Sequence, residues 1–495
     1  MGKYRQATQF STQDFKAFHN RLNDNLKVLQ MLLAQPDFGR GAPSFGAELE
    51  IYIIDAQGAA KPINMQLQKL VNDKQLALEL NRFNLEYNFT PVAQDKAPFS
   101  KMCKQMTDML IGLEKSAKIL QARVLPIGIL PTLQVSDMGL NVLTDIPRYY
   151  MLANSLSNKR GADFHIHIDG EDALDFHWRD ITLEGAATSF QFHYRVNPQH
   201  FANTYNAAQL TTPLVLALSA NSPFFLGRKL WQETRIVLFK QATDCRLKKA
   251  LDKHLPARVF FGFGWIGKDI YEMFAKAVHL FEPLMPICSN DDPFAQIKDG
   301  KSPSLNELRL HMGTLWNWNR PIYDPHDNGH LRIELRSLPA GPTPVNMLAS
   351  AALMSGLMAG LQSRLSEILL ALPFRYAEQN FYRAAQHGLQ ARLLWPDLRS
   401  GTIRERSVSS ILKELLPLAE DGLCQLGVGD SEIKQQMTII NGGLESQING
   451  AQWQINMFDQ LMKSEDRKTA LRQLVENYYR EYQTGKAVHE WSDKI

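Results

Sequence analysis

Strict alternation of apolar and charged residues is the clearest pattern in this chain. From Leu331 to Arg336, three aliphatic residues alternate with arginine, glutamate and arginine, which is the period of a β-strand with two different faces. Charges on one strand face are costly to bury unless they are paired or bind a ligand. This strand is therefore predicted either to face water or to line a site for a charged ligand.

Three other segments repeat the alternation: Phe45–Ile53, Asn84–Phe89 and Ser189–Val196. In each of them one face is apolar and suited to packing against helices. The opposite face carries carboxylates, an imidazole, a guanidinium or side-chain amides. A single strand of this kind is most often a solvated outer face. Four of them in one chain favour a sheet with a functional polar face.

Apolar residues at helical spacing lie on both sides of these strands. They predict helices near 15–33 and 102–120, and shorter apolar runs predict strands at 123–130 and 163–169. From residue 351 onward the strand patterns fade, and segments rich in Ala, Leu and Met predict helices. We therefore expect a strand-containing part, residues 1–350, and a helical region, residues 351–495, that packs on it to form one structural unit.

The carboxylates of the polar face are of metal-ligand type. Glu48, Glu50, Glu86 and Glu334 offer hard oxygen donors, which suit Mg²⁺, or Mn²⁺ if His193 joins them. Glu48 and Glu50 are two residues apart on one strand and repel each other unless a cation lies between them. This pattern predicts a divalent-metal site.

Guanidinium groups share the same face. Arg195, Arg332 and Arg336 are permanent cations whose planar forks fit phosphate and carboxylate oxygens. Carboxylates that hold divalent ions, beside arginines that hold anions, are the parts needed for phosphoryl transfer. The pattern predicts metal-dependent phosphoryl transfer or phosphate binding, and it leaves the acceptor undefined.

Several short segments, taken in order, resemble the glutamate–cysteine ligase family of the bacterial and plant type, which includes related carboxylate–amine ligases. The matching segments are Gly46–Glu50, Leu85–Pro91, Thr188–His193, Leu218–Phe224, Gly313–Arg320 and Leu331–Arg336, followed by Pro339–Thr343. Each segment is short, but their number and order are specific. The resemblance extends over about residues 40 to 360.

This resemblance implies an α+β, glutamine-synthetase-like fold, in which a curved antiparallel sheet is flanked by helices and followed by a helical C-terminal region. Residues 1–350 would then be the catalytic domain, with ATP and Mg²⁺ or Mn²⁺ on its concave polar face. In this family ATP phosphorylates a carboxylate, and an amine then displaces phosphate from the acyl phosphate. Glutamate plus cysteine, giving γ-glutamylcysteine for glutathione biosynthesis, is the expected reaction, and a related acid or amine remains open.

Roles for individual residues follow from the resemblance. Glu48, Glu50, Glu86, His193 and Glu334 are similar in position to the family's metal ligands. Arg336 and Arg332 are similar to its phosphate clamps, and Arg235 and Gln191 are expected to bind substrate. The alternatives are a helix-surface arginine for Arg235, a strand-edge charge for Arg195 and a hydrogen-bonded sheet glutamine for Gln191.

Composition agrees with a cytoplasmic enzyme that acts on small molecules. The net charge of +3 over 495 residues gives no reason to expect a nucleic-acid or membrane partner. The four cysteines are far apart, as expected for free thiols in a reducing compartment. The basic start, residues 1–5, is followed by polar residues, so we expect no secretory signal. The oligomeric state is not defined by the sequence.

Three alternatives remain open. His165-Ile166-His167 places two imidazoles on one strand face, so a zinc hydrolase is the second enzyme class. Gly262 to Gly267 satisfies the GxGxxG pattern after an apolar segment, but no strand that ends in a ribose-binding acid follows it, so a glycine-rich turn is favoured. The third alternative is a binding protein on this scaffold that has lost catalysis.

Overall fold

The computed structural model describes residues 10–246, 255–397 and 400–493. The expectation about residues 1–5 lies outside these ranges. The strands are β1 (Ser44–Ile54), β2 (Leu76–Leu78), β3 (Asn84–Asn88), β4 (Val92–Ala93), β5 (Arg123–Leu125), β6 (Phe164–Ile168), β7 (Leu174–Trp178), β8 (Phe190–Val196), β9 (Phe224–Phe225), β10 (Arg228–Lys229), β11 (Val259–Phe260), β12 (Trp316–Asn317), β13 (Asn319–Asp324), β14 (His330–Leu335), β15 (Arg392–Pro396) and β16 (Ile403–Ser407).

The α-helices of the described residues are numbered in chain order. They are α1 (Thr12–Leu33), α2 (Asn64–Val71), α3 (Pro98–Ile119), α4 (Pro147–Arg160), α5 (Phe201–Ser219), α6 (Thr234–Ala242), α7 (Tyr271–Leu280), α8 (Pro293–Lys298), α9 (Asn306–Met312), α10 (Pro344–Gly360), α11 (Leu365–Ala371), α12 (Phe374–His387), α13 (Val408–Gln425), α14 (Asp430–Ser446), α15 (Gly450–Leu461) and α16 (Arg467–Tyr482).

The main sheet has the strand order β13-β14-β8-β1-β3-β2, with β4 and β5 also paired to β1. All of these pairs are antiparallel. The four segments with alternating patterns therefore become the four neighbouring strands β14, β8, β1 and β3. Because β14 comes far later in the chain than β1, folding brings residues near 334 beside residues near 48.

One face of this sheet is apolar and covered by helices. Phe45 on β1 and Phe192 on β8 are fully buried, and the ring of Phe45 stacks on that of Phe99 in α3 at 5.4 Å between centroids. Helix α10 lies against both α3 and β8. Burial of these large side chains fixes which face of each strand turns inward, and so also which face carries the charges.

The strand predicted over 123–130 is shorter than expected. Strand β5 ends at Leu125, directly before Pro126. Proline has no backbone N–H to continue a ladder, which explains the early end of the strand. The following apolar residues, such as Ile127 and Leu130, are still buried, although they lie outside the strand.

The C-terminal part is mainly helical, as expected, and also contains the hairpin β15–β16, which was not predicted. Helices α10 and α13 pack closely through glycines. A Cβ atom added at Gly360 would lie 1.9 Å from the carbonyl oxygen of Leu418, so only glycine allows this approach. The division of the chain at residue 350 stays a prediction.

Among the described helices, none by itself has the length and apolar character required to cross a membrane. One bent pair of consecutive helices, Pro344–Gly360 with Gln362–Ala371, meets the length and composition requirement when the two are joined across a 45° bend.

Candidate active site

The polar face of the sheet carries the charged residues of the four alternating strands. On β1, Glu48 and Glu50 are half-buried on this face, while Ala47, Leu49 and Ile51 are buried on the other. Strand pairing places Glu334 opposite His193, and Glu50 opposite Glu86. The predicted alternation thus brings all five predicted metal ligands onto one surface, where they form two groups.

The histidine group consists of Glu48, His193 and Glu334, whose ligand atoms lie within 4.8 Å of one another. His193 Nε2 is 3.2 Å from Glu48 Oε1 and 3.8 Å from Glu334 Oε1. Gly46 lies opposite His193 on the neighbouring strand, and a Cβ atom at this position would be 3.3 Å from the His193 Cβ. The glycine therefore leaves room for the imidazole.

Guanidinium groups neutralise the histidine group. Glu334 is 2.7 Å from Arg320 Nε and 2.9 Å from Arg336 Nη1. Although burial alone would raise it, the pKa of Glu334 is held well below its usual range by these two arginines and by His193. Burial also opposes ionisation of Glu48, but His193 lowers the pKa of that carboxyl. Both carboxylates are thus ionised at neutral pH and can act as ligands.

The glutamate group consists of Glu50, Glu79 and Glu86, also with ligand atoms within 4.8 Å. Burial, followed by the charge of Glu79, raises the pKa of Glu50 to about 8. Burial and the charges of its acidic neighbours raise the pKa of Glu86 well above its usual value, and burial raises the pKa of Glu79. Burial and mutual repulsion of these three acids outweigh the opposing charge of nearby arginines such as Arg336, so the acids take up protons, and the group fits a divalent cation.

Gln191 connects the two groups. Its Nε2 donates to Glu50 Oε1 at 3.0 Å and to Glu86 Oε2 at 3.3 Å, and its Oε1 accepts a hydrogen bond from Arg336. Arg336 in turn holds Glu334. The chain of contacts therefore runs from the glutamate group through Gln191 and Arg336 to the histidine group.

Arg332 orients His193. Its Nε donates to His193 Nδ1 at 3.0 Å, and its Nη1 donates to Asp324 Oδ2 at 2.5 Å. Because Nδ1 accepts this bond, the ring proton lies on Nε2, which faces Glu48 and Glu334. Binding of a metal ion through Nε2 would require Arg332 to release Nδ1. In this structure, therefore, the carboxylates of Glu48 and Glu334 are available to a metal ion without rearrangement, whereas the imidazole of His193 is not.

A cavity of about 320 Å³ lies beside the histidine group. Glu48, His193, Arg195, His330 and Arg332 are among its lining residues. Within the described part of the chain, Nε and Nη2 of Arg195 are buried without a hydrogen-bond partner, and its Nη1 is 3.8 Å from Asp327. Arg195 therefore lines the cavity and has two side-chain donors that no described protein group engages.

Arg235 lies at the start of α6 and is buried, in contrast to the surface position that was considered for it. Its Nε is 2.7 Å from Glu233 Oε1, and its Nη2 donates to the carbonyl oxygen of Ser337 at 2.6 Å. Its charge also helps to lower the pKa of Glu50. The structure thus places Arg235 near the glutamate group, engaged with protein atoms.

Three residues of this region were missed by the sequence analysis: Glu79, Arg320 and Glu184. Ala77 of β2 is the register partner of Glu86, and Glu79 lies two residues further along, on the same side of the chain. This period of two is the sequence signal that could have identified Glu79. Arg320 lies opposite Glu334 in the β13–β14 pairing. Burial, together with the charges of Glu79 and Glu50, raises the pKa of Glu184 well above its usual value, and no motif marked this residue.

The histidine pair of the alternative hydrolase lies outside the main sheet. His165 and His167 are on β6, which pairs only with β7 among the described strands. Their side chains are 47% and 51% exposed, so the structure gives a hydrolase no enclosed cleft at this position.

The GxGxxG segment forms a loop between β11 and α7, and the helix begins at Tyr271, four residues after Gly267. A dinucleotide fingerprint instead opens directly into its helix.

The structure defines the class of fold, which is glutamine-synthetase-like, with a curved antiparallel sheet flanked by helices. Residues 44–259 match the model of "Glutamate-cysteine ligase family 2(GCS2)". The match covers less than half of the chain, and it confirms the resemblance first noted in the short motifs. The search of curated proteins found no match.

Solved structures are similar at low identity. A glutamate–cysteine ligase from Francisella tularensis, in complex with AMP, is 11% identical with a TM-score of 0.51, and the match covers 90% of each chain. This likeness shows the fold. A bifunctional glutathione synthetase from Pasteurella multocida is 10% identical with a TM-score of 0.44, and covers 93% of this chain and 55% of that one. The ligase PafA, in complex with the ubiquitin-like protein Pup, gives 10% identity and a TM-score of 0.38, with 88% and 71% covered.

Proposed function

We propose that this protein is an ATP-dependent carboxylate–amine ligase that forms an amide through an acyl phosphate, with glutamate and cysteine as substrates and γ-glutamylcysteine as product. One observation carries the proposal: Glu48 and Glu50, neighbours on one face of β1, belong to two separate three-ligand groups. This arrangement is suited to holding the phosphates of a nucleotide and an acceptor carboxylate side by side.

The donor chemistry fits Mg²⁺, or Mn²⁺ as the alternative. The glutamate group would hold one ion through Glu50, Glu79 and Glu86, and Glu48 and Glu334 of the histidine group would hold another, with His193 beside them. When bound, these ions would neutralise negative charge on the nucleotide phosphates and on the acceptor carboxylate. The raised pKa values of Glu50 and Glu86 support this assignment, because they mark carboxylates whose burial and mutual repulsion the nearby arginines do not offset.

The chain's own residues position the reactants. Arg336 and Arg320 keep Glu334 ionised and in place. Arg195, which lines the cavity and has two donors without a partner among the described residues, is proposed to bind the nucleotide phosphates. Arg332 is proposed to orient His193 and to reach the phosphates once it releases Nδ1. Arg235 and Gln191 are proposed to shape the pocket of the amino-acid substrate. The structure supports positioning for these two, since protein atoms engage both.

The direct test is a coupled assay of ADP and phosphate release with Mg²⁺, ATP, glutamate and cysteine, with mass spectrometry of the product. We expect release of ADP and phosphate that depends on both amino acids, and a dipeptide with the mass of γ-glutamylcysteine.

Glu334→Gln should abolish turnover, since the site loses a metal ligand and the partner of two arginines. Arg195→Gln should raise the KM for ATP by roughly tenfold while the chain stays folded.

The outcomes separate the alternatives. Release of ADP with another acid or amine would keep the ligase and replace the substrates. ATP binding by calorimetry without turnover on any acid and amine tested would indicate a binding protein on this scaffold. Absence of both would overturn the proposal. We also propose that the partners of this protein are small molecules and that it is located in the cytoplasm, because its substrates and free thiols are typical of that compartment.

A further inference from the structure

A second cluster of metal-ligand side chains lies on the hairpin formed by β6 and β7, away from the sheet that carries both ligand groups. His165, His167 and Asp175 have ligand atoms within 4.8 Å of one another. His165 Nε2 is 2.8 Å from Asp175 Oδ1, and His167 Nδ1 is 3.0 Å from Asp175 Oδ2. Both imidazoles thus point a ring nitrogen at one shared carboxylate.

The hairpin holds these side chains in a fixed arrangement. Strand pairing places His167 opposite Asp175 and His165 opposite His177. The rings of His165 and His177 stack at 4.6 Å between centroids. On the other face of β6, Phe164, Ile166 and Ile168 are fully buried in the core. The burial fixes the register, and the register fixes the ligand positions.

Contacts from other elements anchor the hairpin further. The side chain of Gln241 in α6 exchanges two hydrogen bonds of 2.8 Å with the backbone of His167, as a neighbouring strand would. At the turn between the strands, Trp231 donates to the carbonyl oxygen of Asp169 at 2.7 Å, and Arg467 pairs with Asp172. A site supported in this way needs little reorganisation when it binds an ion.

We propose that His165, His167 and Asp175 form a binding site for one divalent transition-metal ion, with zinc as the expected occupant. Two imidazoles and a carboxylate are ligands for zinc and its transition-metal neighbours, whereas Mg²⁺ prefers oxygen ligands. Ligands of a tetrahedral zinc ion lie about 3.3 Å apart, so separations within 4.8 Å require only small side-chain movements.

The neighbours of the cluster agree with this role. His167 Nε2 lies 3.5 Å from Asp169 Oδ1. A carboxylate at that nitrogen is the arrangement that leaves the other ring nitrogen free for a metal. The side chains are about half exposed, so water completes the coordination. The site is therefore suited to reversible binding, and its occupation does not require the ligase reaction.

The test is a calorimetric titration of the full chain with Zn²⁺ in the presence of excess Mg²⁺, the ion proposed above for the carboxylate-rich groups of the main sheet. We expect wild type to bind one more Zn²⁺ per chain than the double variant His165→Ala, His167→Ala. Asp175→Asn should weaken this step by at least about tenfold. Because these side chains are exposed, circular dichroism of the variants should match wild type.

Two controls define the outcome. His279→Ala removes an exposed histidine of α7 that lies in none of the ligand groups found among the described residues, and should leave the stoichiometry unchanged. His193→Gln should keep the additional Zn²⁺, which separates the hairpin from the histidine group. Co²⁺ should give a visible absorption spectrum with wild type that the double variant lacks. Equal Zn²⁺ stoichiometry and affinity in wild type and double variant would overturn the proposal, whether or not the protein proves to be a ligase.

Discussion

At the scale of single residues, Arg336 shows how one side chain serves two neighbours. Its Nη1 donates to Glu334 Oε2 at 2.9 Å and also to Gln191. Its side chain is only 14% exposed, and the surrounding carboxylates Glu334 and Glu50 raise its pKa, although burial opposes them. Such a cation can hold ligands in place and still present its planar edge to an anion.

Arg336→Lys is expected to lower kcat roughly 10- to 100-fold, since a charge-assisted hydrogen bond is lost and a point ammonium cannot reproduce the guanidinium fork. The melting temperature should change little, because the positive charge beside Glu334 is retained. Arg392→Lys is the matched control, since the side chain of Arg392 is 60% exposed on the β15–β16 hairpin. Wild-type turnover in Arg336→Lys would contradict the role of Arg336 at the site.

The residue scale also shows what could and could not be predicted from the sequence. The polar face of β1 was predictable because apolar residues with a period of two leave Glu48 and Glu50 together on the other side. The surroundings of Arg235 were not, because its partners Glu233 and Ser337 meet it only through the fold. A charged residue in a sequence motif does not reveal whether a neighbouring carboxylate already engages it.

At the scale of elements, strand patterns worked where strands are long and failed where they are short. Strand β1 has 11 residues, enough for its alternation to be unmistakable, whereas β2 has only three and ends before Glu79. The alternation that places Glu79 with the other acids therefore spans too few residues to stand out. Pro126 limited β5 in the same region, by removing the donor that the next ladder bond needs.

Helix α9 contains a buried histidine whose titration should be visible in stability. His311 is 1% exposed, and its Nε2 lies 3.0 Å from the carbonyl oxygen of Ala277. Burial lowers its pKa to about 4. The unfolded chain, with a pKa near 6.5, therefore binds more protons than the folded one between these values. The contribution of the neutral histidine to the stability of the folded protein is therefore fully present above about pH 6.5 and is lost as pH falls toward 4.

His311→Gln should flatten this dependence. Over the full window the histidine contributes about 3 kcal/mol of pH-dependent free energy of unfolding, and denaturant titrations at pH 7.5, 6 and 4.5 would measure it in wild type and variant. His279→Gln, an exposed change on α7, should leave the pH dependence of wild type intact. The same slope in His311→Gln and wild type would show that another group is responsible.

At the scale of the whole molecule, the site depends on contacts that are very distant in sequence. Strand β14 joins β8 and β8 joins β1, so Glu334 and Glu48 reach His193 from opposite sides. Alternation alone cannot give this strand order, because each strand would satisfy its apolar face against any helix. The family-like motifs led us to expect a curved antiparallel sheet but did not give the order of its strands. The family model matches residues 44–259 and ends before β14.

The whole-molecule electrostatics predict that Mg²⁺ and pH act together on stability. The pKa of Glu50 is raised from an ordinary 4.5 to about 8. In the metal-free protein its contribution to stability is therefore fully present below pH 4.5 and is lost as pH rises through 8. Because Mg²⁺ competes with these protons, it should stabilise the fold more at pH 8.5 than at pH 5.5, by at least about 1 kcal/mol.

Thermal unfolding with EDTA and with Mg²⁺ at the two pH values would measure this difference. Glu50→Gln, which removes one titrating ligand, should reduce the gain from Mg²⁺ at pH 8.5 and stabilise the metal-free protein there. Asp108→Asn, an exposed change on α3, is the control. A gain from Mg²⁺ that is the same at both pH values would contradict the assignment of these carboxylates to a metal site.

The position of Gln191 between the two ligand groups has a thermodynamic consequence. An ion that draws Glu50 and Glu86 inward changes their hydrogen bonds to the Gln191 amide, and the amide is bonded to Arg336, which holds Glu334. Occupation of one group thus alters the affinity of the other, and reciprocity requires the same factor in both directions. Binding of the two ions should therefore be coupled, with the amide of Gln191 as the connecting element.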